Sequence, residues 1–194
     1  APTKPFQYQG YYRCGDRVIF AYRIGDTDYL DAPWSQEGQF THVVAPAADH
    51  PLAHLIKPGP SRWSETITTQ ITTVESDPFA VDSIGLPTDN PWKVPVYPGD
   101  HDFFPDGSAL ICTMQGDVWH VTILDDAEKP PQAHWRRFAS GLHQALGLIV
   151  DDDGIFVLCR DQIVCLHDLN QDGEADFYEC FSNAFASSPA GHNF

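Results

Sequence analysis

Residues 7–31 read QYQGYYRCGDRVIFAYRIGDTDYLD, in which apolar and polar side chains alternate through two runs separated by Cys14-Gly15-Asp16. Period-two alternation sends one side of each run into a core, and a Gly-Asp turn between two such runs closes a hairpin. Strands are therefore expected at Gly10–Arg13 and Arg17–Arg23, with a third near Tyr29. The same punctuation recurs along the chain. Sixteen prolines and fourteen glycines among 194 residues leave little room for long helical periods. The expected class is all-β, built from many short strands.

Two more strands are expected at Gln39–Ala45 and at Thr66–Val74, where ETITTQITTV is rich in β-branched residues. Ala45–Pro60, between them, is proline-rich and reads as loop, with His50 and His54 facing solvent. These strands predict a β-sandwich portion over residues 1–78. Residues 79–98, FAVDSIGLPTDNPWKVPVYP, carry four prolines and no period, and are expected to be a linker.

Residues 99–194 contain an internal repeat. One copy, HDFFPDGSALICTMQGDVWHVTI, starts at His101, and the other, HQALGLIVDDDGIFVLCRDQIVCLHDL, starts at His143. Gly107 and Gly154 occupy matching turns 47 residues apart, close to the length of a propeller blade. His134–Phe138 would be the outer strand of the first blade and Phe177–Phe181 that of the second, with Trp119 and Trp135 in the blade core. Ala190–Phe194 resembles the start of the first copy, so the expectation is about two blades and the start of a third. A propeller closes with about 4–8 blades. Remaining blades, or a partner chain, are expected to complete it.

A net charge of -16 disfavours nucleic acid and anionic membrane surfaces as partners, since both require clustered Lys and Arg. It suits a hard cation with oxygen ligands. The segment Asp168-Leu-Asn170-Gln-Asp172-Gly173-Glu174-Ala-Asp176-Phe-Tyr-Glu179 matches D-x-[DN]-x-[DN]-G-x5-E over its whole length. In a calcium loop of this pattern Asp168, Asn170 and Asp172 supply side-chain oxygens and Gly173 permits the sharp turn. Glu174 would offer its carbonyl, Asp176 would bind directly or through water, and Glu179 would close the sphere. The upstream run Ile163–Leu166 is β-branched rather than helical. A bound calcium would thus be a structural staple and not a helix-opening switch; the competing expectation is a solvated acidic turn.

His101, His143 and His192 each open an expected innermost strand. Such strands line the channel of a propeller, where three imidazoles would form a platform for a transition metal or cofactor, or each would hydrogen-bond a neighbouring blade. Five cysteines show neither C-x-x-C nor C-x-x-C-H spacing, and Cys159 and Cys165 stand as a cross-strand pair, either as thiols or as a disulfide. Trp34, Trp63 and Trp92 lie in loop-like context, suited to capping a domain or stacking on sugar, with core or interface packing the expected use for most of them. Arg136 and Arg137 are expected in salt links on an outer strand.

The stretches YQGYYRCGDRVIFAYRIGD, HDFFPDGSALICTMQGDVWHV, WRRFASGLHQALGL and RDQIVCLHDLNQDGEADFYE resemble the large secreted proteins of planctomycetes and relatives known as membrane-bound dehydrogenase-like or haem-binding c-type cytochrome proteins. The resemblance implies a periplasmic or secreted setting and a propeller like those of soluble sugar dehydrogenases. It also implies an oxidoreductase or electron-transfer setting and a longer parent protein, with sugar or polyol oxidation as one expectation and a carbohydrate- or protein-binding module, or a structural segment of a larger assembly, as the alternative. Haem c or a quinone would come only from regions beyond this chain or from partners. No catalytic residue is carried over.

Overall fold

The computed structural model describes residues 4–124 and 130–185. The chain is all-β, with two sheets, one curled into a half-barrel. Among the described residues fourteen strands occur in the order β1 Phe6–Cys14, β2 Arg17–Ile24, β3 Thr27–Gln36, β4 Gln39–Pro46, β5 Thr66–Ser76, β6 Phe79–Ile84, β7 Pro98–Phe103, β8 Ala109–Thr113, β9 Asp117–Leu124, β10 Gln132–Ser140, β11 Gly147–Asp151, β12 Gly154–Leu158, β13 Ile163–His167 and β14 Phe177–Ser182. Every strand expected from the alternation in residues 7–74 is present, extended at its ends by pairing that sequence alone does not reveal.

The chain divides into two compact units, one made of Ala1–Arg62 with Asp161–Phe194 and the other of Trp63–Arg160. This differs from the boundaries drawn from sequence at 78 and 99. The cause is strand pairing. β1 takes β14 as its antiparallel neighbour, with Gly10 opposite Glu179 and Tyr12 opposite Phe177. The C-terminal hairpin therefore joins the N-terminal meander rather than a separate module. β5, expected in a sandwich with β1–β4, belongs to the other unit, and the proline-rich segment 79–98, expected as a linker, runs inside that unit and contains β6.

In the first unit β13, β14, β1, β2, β3 and β4 lie side by side. Ile19 and Ala21 of β2 and Leu30 and Ala32 of β3 are buried on one face, as the alternation of their strands requires. Short 3-10 turns at Ala47–Asp49 and Ala53–Ile56 cover that face with Ala47, Leu52, Ala53, Leu55 and Ile56. His50 is not solvent-facing: only 5% exposed, its Nδ1 accepts the Leu52 N–H at 3.0 Å and its Nε2 lies 3.2 Å from the Val43 carbonyl. The proline-interrupted segment needed those bonds because turns without regular hydrogen bonding leave backbone groups to satisfy. His54 is exposed, as expected.

The second unit holds a six-stranded sheet in the order β6-β5-β10-β9-β8-β7, together with the β11–β12 hairpin. β7 to β10 form the consecutive meander expected of the first repeat copy. His134–Phe138 lies in β10 and is not an outer strand, because Gln132–Arg136 also pairs with Gln70–Thr66 of β5. The same holds for Phe177–Phe181 in β14, which has β13 on one side and β1 on the other. Trp119 and Trp135, at 0% and 1% exposure, fill the core as expected, with Ile71, Val96, Val121 and Ala133. Trp135 also donates its indole N–H to Thr69 Oγ1 at 2.8 Å. Truncating an aromatic so enclosed costs about 3–5 kcal/mol.

Arg137 lies inside this unit and not on an outer surface. Its guanidinium donates to Asp117 Oδ1 at 2.6 Å and to Ser140 Oγ at 2.8 Å, and stacks 4.6 Å from the Trp63 ring centroid. Trp63 is buried and Trp92 packs on the core, so both tryptophans are structural here, whereas Trp34 is a strand residue under the Arg17 guanidinium.

Candidate metal centre

Residues 168–176 connect β13 to β14, whose register sets His167 opposite Phe177 and Cys165 opposite Glu179. The loop is organised by its own short acidic side chains. Asp168 accepts the backbone N–H groups of Asp172 and Gly173 at 3.2 and 2.8 Å, Asn170 Oδ1 accepts Asp172 N–H at 3.2 Å, and Asp172 accepts Glu174 N–H at 3.1 Å. Gly173 adopts φ +83°, the left-handed conformation for which the pattern reserves a glycine. The alternate residues at loop positions 1, 3 and 5 thus turn their oxygens toward a common backbone bend.

Asp176 is buried, at 8% exposure, and accepts the Leu169 N–H at 2.9 Å. Its backbone is fixed on both sides, its N–H donating to the His167 carbonyl and its own carbonyl accepting Arg13 N–H, each at 2.8 Å. Burial, with the nearby charges of Asp172, Asp168 and Glu174, pushes its carboxyl above the usual range. The negative charges of the loop thus act on a carboxyl that burial already disfavours in its ionised form, an effect that a divalent cation would offset.

The carboxylates of Glu174 and Glu179 have partners of their own. Glu174 turns its carboxylate away to cap the 59–62 segment, accepting Arg62 N–H at 2.6 Å and the Ser61 hydroxyl at 3.0 Å. Asn170 adds a third tie, donating to the Gly59 carbonyl at 2.9 Å. The Glu179 carboxylate lies 2.7 Å from His167 Nε2, on the hairpin beside the loop. The position-12 glutamate is thus already engaged two residues into β14, because strand pairing begins at Phe177 where a helix-flanked loop would continue.

Of the three histidines expected around a channel, His101 and His143 lie among the described residues. His101 is an exposed residue within β7 with its ring 5.6 Å from Phe103. His143 is exposed in the turn before β11, and its carbonyl accepts Arg160 N–H at 2.9 Å. His192 lies outside the described residues. Among the described residues the group of metal-capable side chains that does converge is Cys165, His167 and Glu179. Sequence reasoning missed it; the signal was the alternation of Cys165 and His167 on one face of a strand, with Glu179 assigned to the loop instead. All five cysteines are thiols, Cys159 and Cys165 included.

Beside this hairpin the first unit has a cavity of about 430 Å³ whose lining includes Tyr8, Tyr12, Tyr29, Phe177, Asp28 and Glu179. Tyr12 and Phe177 stack at 4.3 Å, and Asp28 is held by Gln9 and Arg23. Burial and the Glu179 carboxylate raise the Tyr12 hydroxyl pKa, and burial carries that of Tyr8 to about 12. Both phenols are hydrogen-bond donors at neutral pH.

Residues 1–31 match the family described as "Domain of unknown function (DUF6797)". Neither the curated proteins nor the solved structures contain a match to this chain.

Proposed function

We propose that the chain is a calcium-stapled β scaffold belonging to a longer periplasmic or secreted protein. The observation that supports it is the 168–176 loop, in which the charges of Asp168 and Asp172 act on a buried Asp176 while Asn170 and Glu174 tie the loop to residues 59–62. Asp168, Asn170, Asp172 and Asp176 would hold the ion by their side chains and Glu174 by its carbonyl; Glu179 is left out. Calcium supplies positive charge that offsets the repulsion, and so braces the connection between β13 and β14. Equilibrium dialysis with radioactive calcium tests this: one ion bound by the chain and none by Asp168→Ala supports it, and equal uptake by both overturns it.

In the setting implied by the family resemblance, this scaffold contributes blades to a propeller, and β7–β10 has the meander that a blade requires. Sugar or polyol oxidation and electron transfer to a haem domain then belong to the longer protein. Dye reduction with sugars and polyols is expected to fail with this chain alone; turnover would contradict a scaffold role.

A carbohydrate-binding role is the second reading, favoured by the cavity that combines stacked Tyr12 and Phe177 with Tyr29 and the fixed carboxylate of Asp28. Aromatic faces and anchored polar groups together suit a sugar ring. Retention on a glycan array that is lost in Tyr12→Ala supports it, and identical binding by the variant removes it.

A further inference from the structure

Cys165 and His167 alternate along β13, so both side chains leave the same face of the strand. Glu179 is paired directly with Cys165 across the β13–β14 ladder and reaches that face too. One ligand atom from each residue, a thiol sulfur, an imidazole nitrogen and a carboxylate oxygen, lies within 4.8 Å of the other two. Cys165 is buried, whereas His167 and Glu179 are half-exposed. The group is thus seated on a buried sulfur and reachable from outside.

We propose that Cys165, His167 and Glu179 form a zinc site, separate from the calcium loop and independent of it. The donor set decides the metal. One thiolate and one imidazole are poor ligands for calcium, which takes six to eight oxygens, but suit a borderline-soft divalent ion. Zinc takes such ligands at about 2.0–2.3 Å, so neighbouring ligand atoms of a tetrahedral site stand about 3.5 Å apart. The 2.7 Å His167–Glu179 contact must then open by roughly 0.8 Å, with the metal replacing the shared proton. Half-exposed side chains on adjacent strands can make that adjustment by rotation about their χ angles.

Three protein ligands leave a fourth position, the arrangement of zinc sites that hold water or a small ligand rather than purely structural ones. Glu179 also lines the cavity beside Tyr12 and Phe177, which gives solvent a route to the metal. Zinc takes the sulfur as thiolate and the imidazole in its neutral form, so binding displaces the thiol proton.

Cobalt(II) titration of the whole chain, in excess calcium and followed by zinc competition, tests the assignment. A thiolate-to-cobalt charge-transfer band that saturates at one equivalent and is displaced by zinc is expected. Cys165→Ser should abolish the band. His167→Gln keeps a donor for the Glu179 carboxylate and so spares the fold, yet should weaken zinc binding by more than the roughly 10–100-fold that loss of an outer-shell partner costs. Absence of the band in the unmodified chain, or its survival in Cys165→Ser, would overturn the site. Neither variant touches the loop carboxylates, and Asp176→Asn should retain the cobalt band while losing its calcium response. A chain that gives the band but ignores calcium would refute the calcium staple and leave the zinc site standing.

Discussion

The carboxylate of Asp168 accepts the Gly173 N–H at 2.8 Å, which winds the loop around its own acidic residues before any ion arrives. Asp176 then faces those charges from a buried position.

Its behaviour should reverse sign with calcium. Because the folded-state pKa of Asp176 is raised, its contribution is fully present below the unfolded value and is lost as pH rises through the folded one. Without metal at neutral pH, Asp176→Asn should therefore leave the melting temperature equal or higher. With calcium it should lower it, by up to the ~2.7 kcal/mol that a ligand at a hundredfold excess over Kd supplies. Glu179→Gln should keep the calcium response. Melting curves of the two variants in calcium and in chelator check both statements, and a calcium response lost in Glu179→Gln but kept in Asp176→Asn would contradict them.

Gly10 should tolerate no side chain. It adopts φ +125° at a bulge in β1, and an added Cβ would collide with the carbonyl oxygen of Tyr178 on β14. Gly10→Ala is expected to destabilise the chain by more than about 2 kcal/mol, since conformational strain and lost strand pairing add. Urea unfolding measures it; a change within about 0.5 kcal/mol, as for an ordinary surface site, would contradict the pairing of β1 with β14.

The contrast between Gly10 and the strands around it shows what was legible in the sequence. Alternation located β1 to β5 because it reports a strand's own faces, and the D-x-[DN]-x-[DN]-G pattern located the 168–176 loop because its hydrogen bonds are local. Which strands become neighbours was not legible. β1 and β14 pair across almost the full chain, and nothing in either strand names the other. That pairing gives compact units whose limits differ from the expected boundaries. The β13–β14 ladder likewise places Glu179 beside His167, where the motif alone put it in a calcium sphere. The pattern was written for helix-flanked loops, and in a hairpin its last position falls inside the ladder.

Arg137 and Asp117 form a pair whose side chains are only 8% and 3% exposed. Removing one partner strands the other charge in the core, so Arg137→Ala should cost about 3–5 kcal/mol. Arg137→Lys should also lose stability, because an ammonium reproduces neither the planar stacking between Trp63 and Trp92 nor the shared donation to Asp117 and Ser140. Replacing both partners by leucine should cost less than Arg137→Ala alone. A double variant as unstable as the single one, measured by chemical denaturation, would contradict this.

Acid should act on the contact between β7 and β11. Asp102 accepts the Val150 N–H at 2.8 Å and Asp100 that of Leu148 at 3.0 Å, two carboxylates standing in for ladder carbonyls. The Val150 and Phe103 N–H groups hold Asp102 below the ordinary carboxylate value of 3.8. Its contribution is present above that value and lost as pH falls through the lower folded-state pKa. Asp102→Asn should therefore flatten part of the loss of melting temperature on acidification. Identical pH profiles for variant and unmodified chain would show that the contact carries no linkage.

The central claim, a calcium ion bracing the β13–β14 connection, is tested most directly by thermal melting of the metal-free chain titrated with calcium, with magnesium in parallel. The account predicts a melting temperature that climbs with calcium, is reversed by chelator, is not matched by magnesium at the same concentration, and does not climb in Asp168→Ala. An identical melting temperature across the calcium titration would contradict it, and would leave residues 168–176 as a turn held by its own hydrogen bonds.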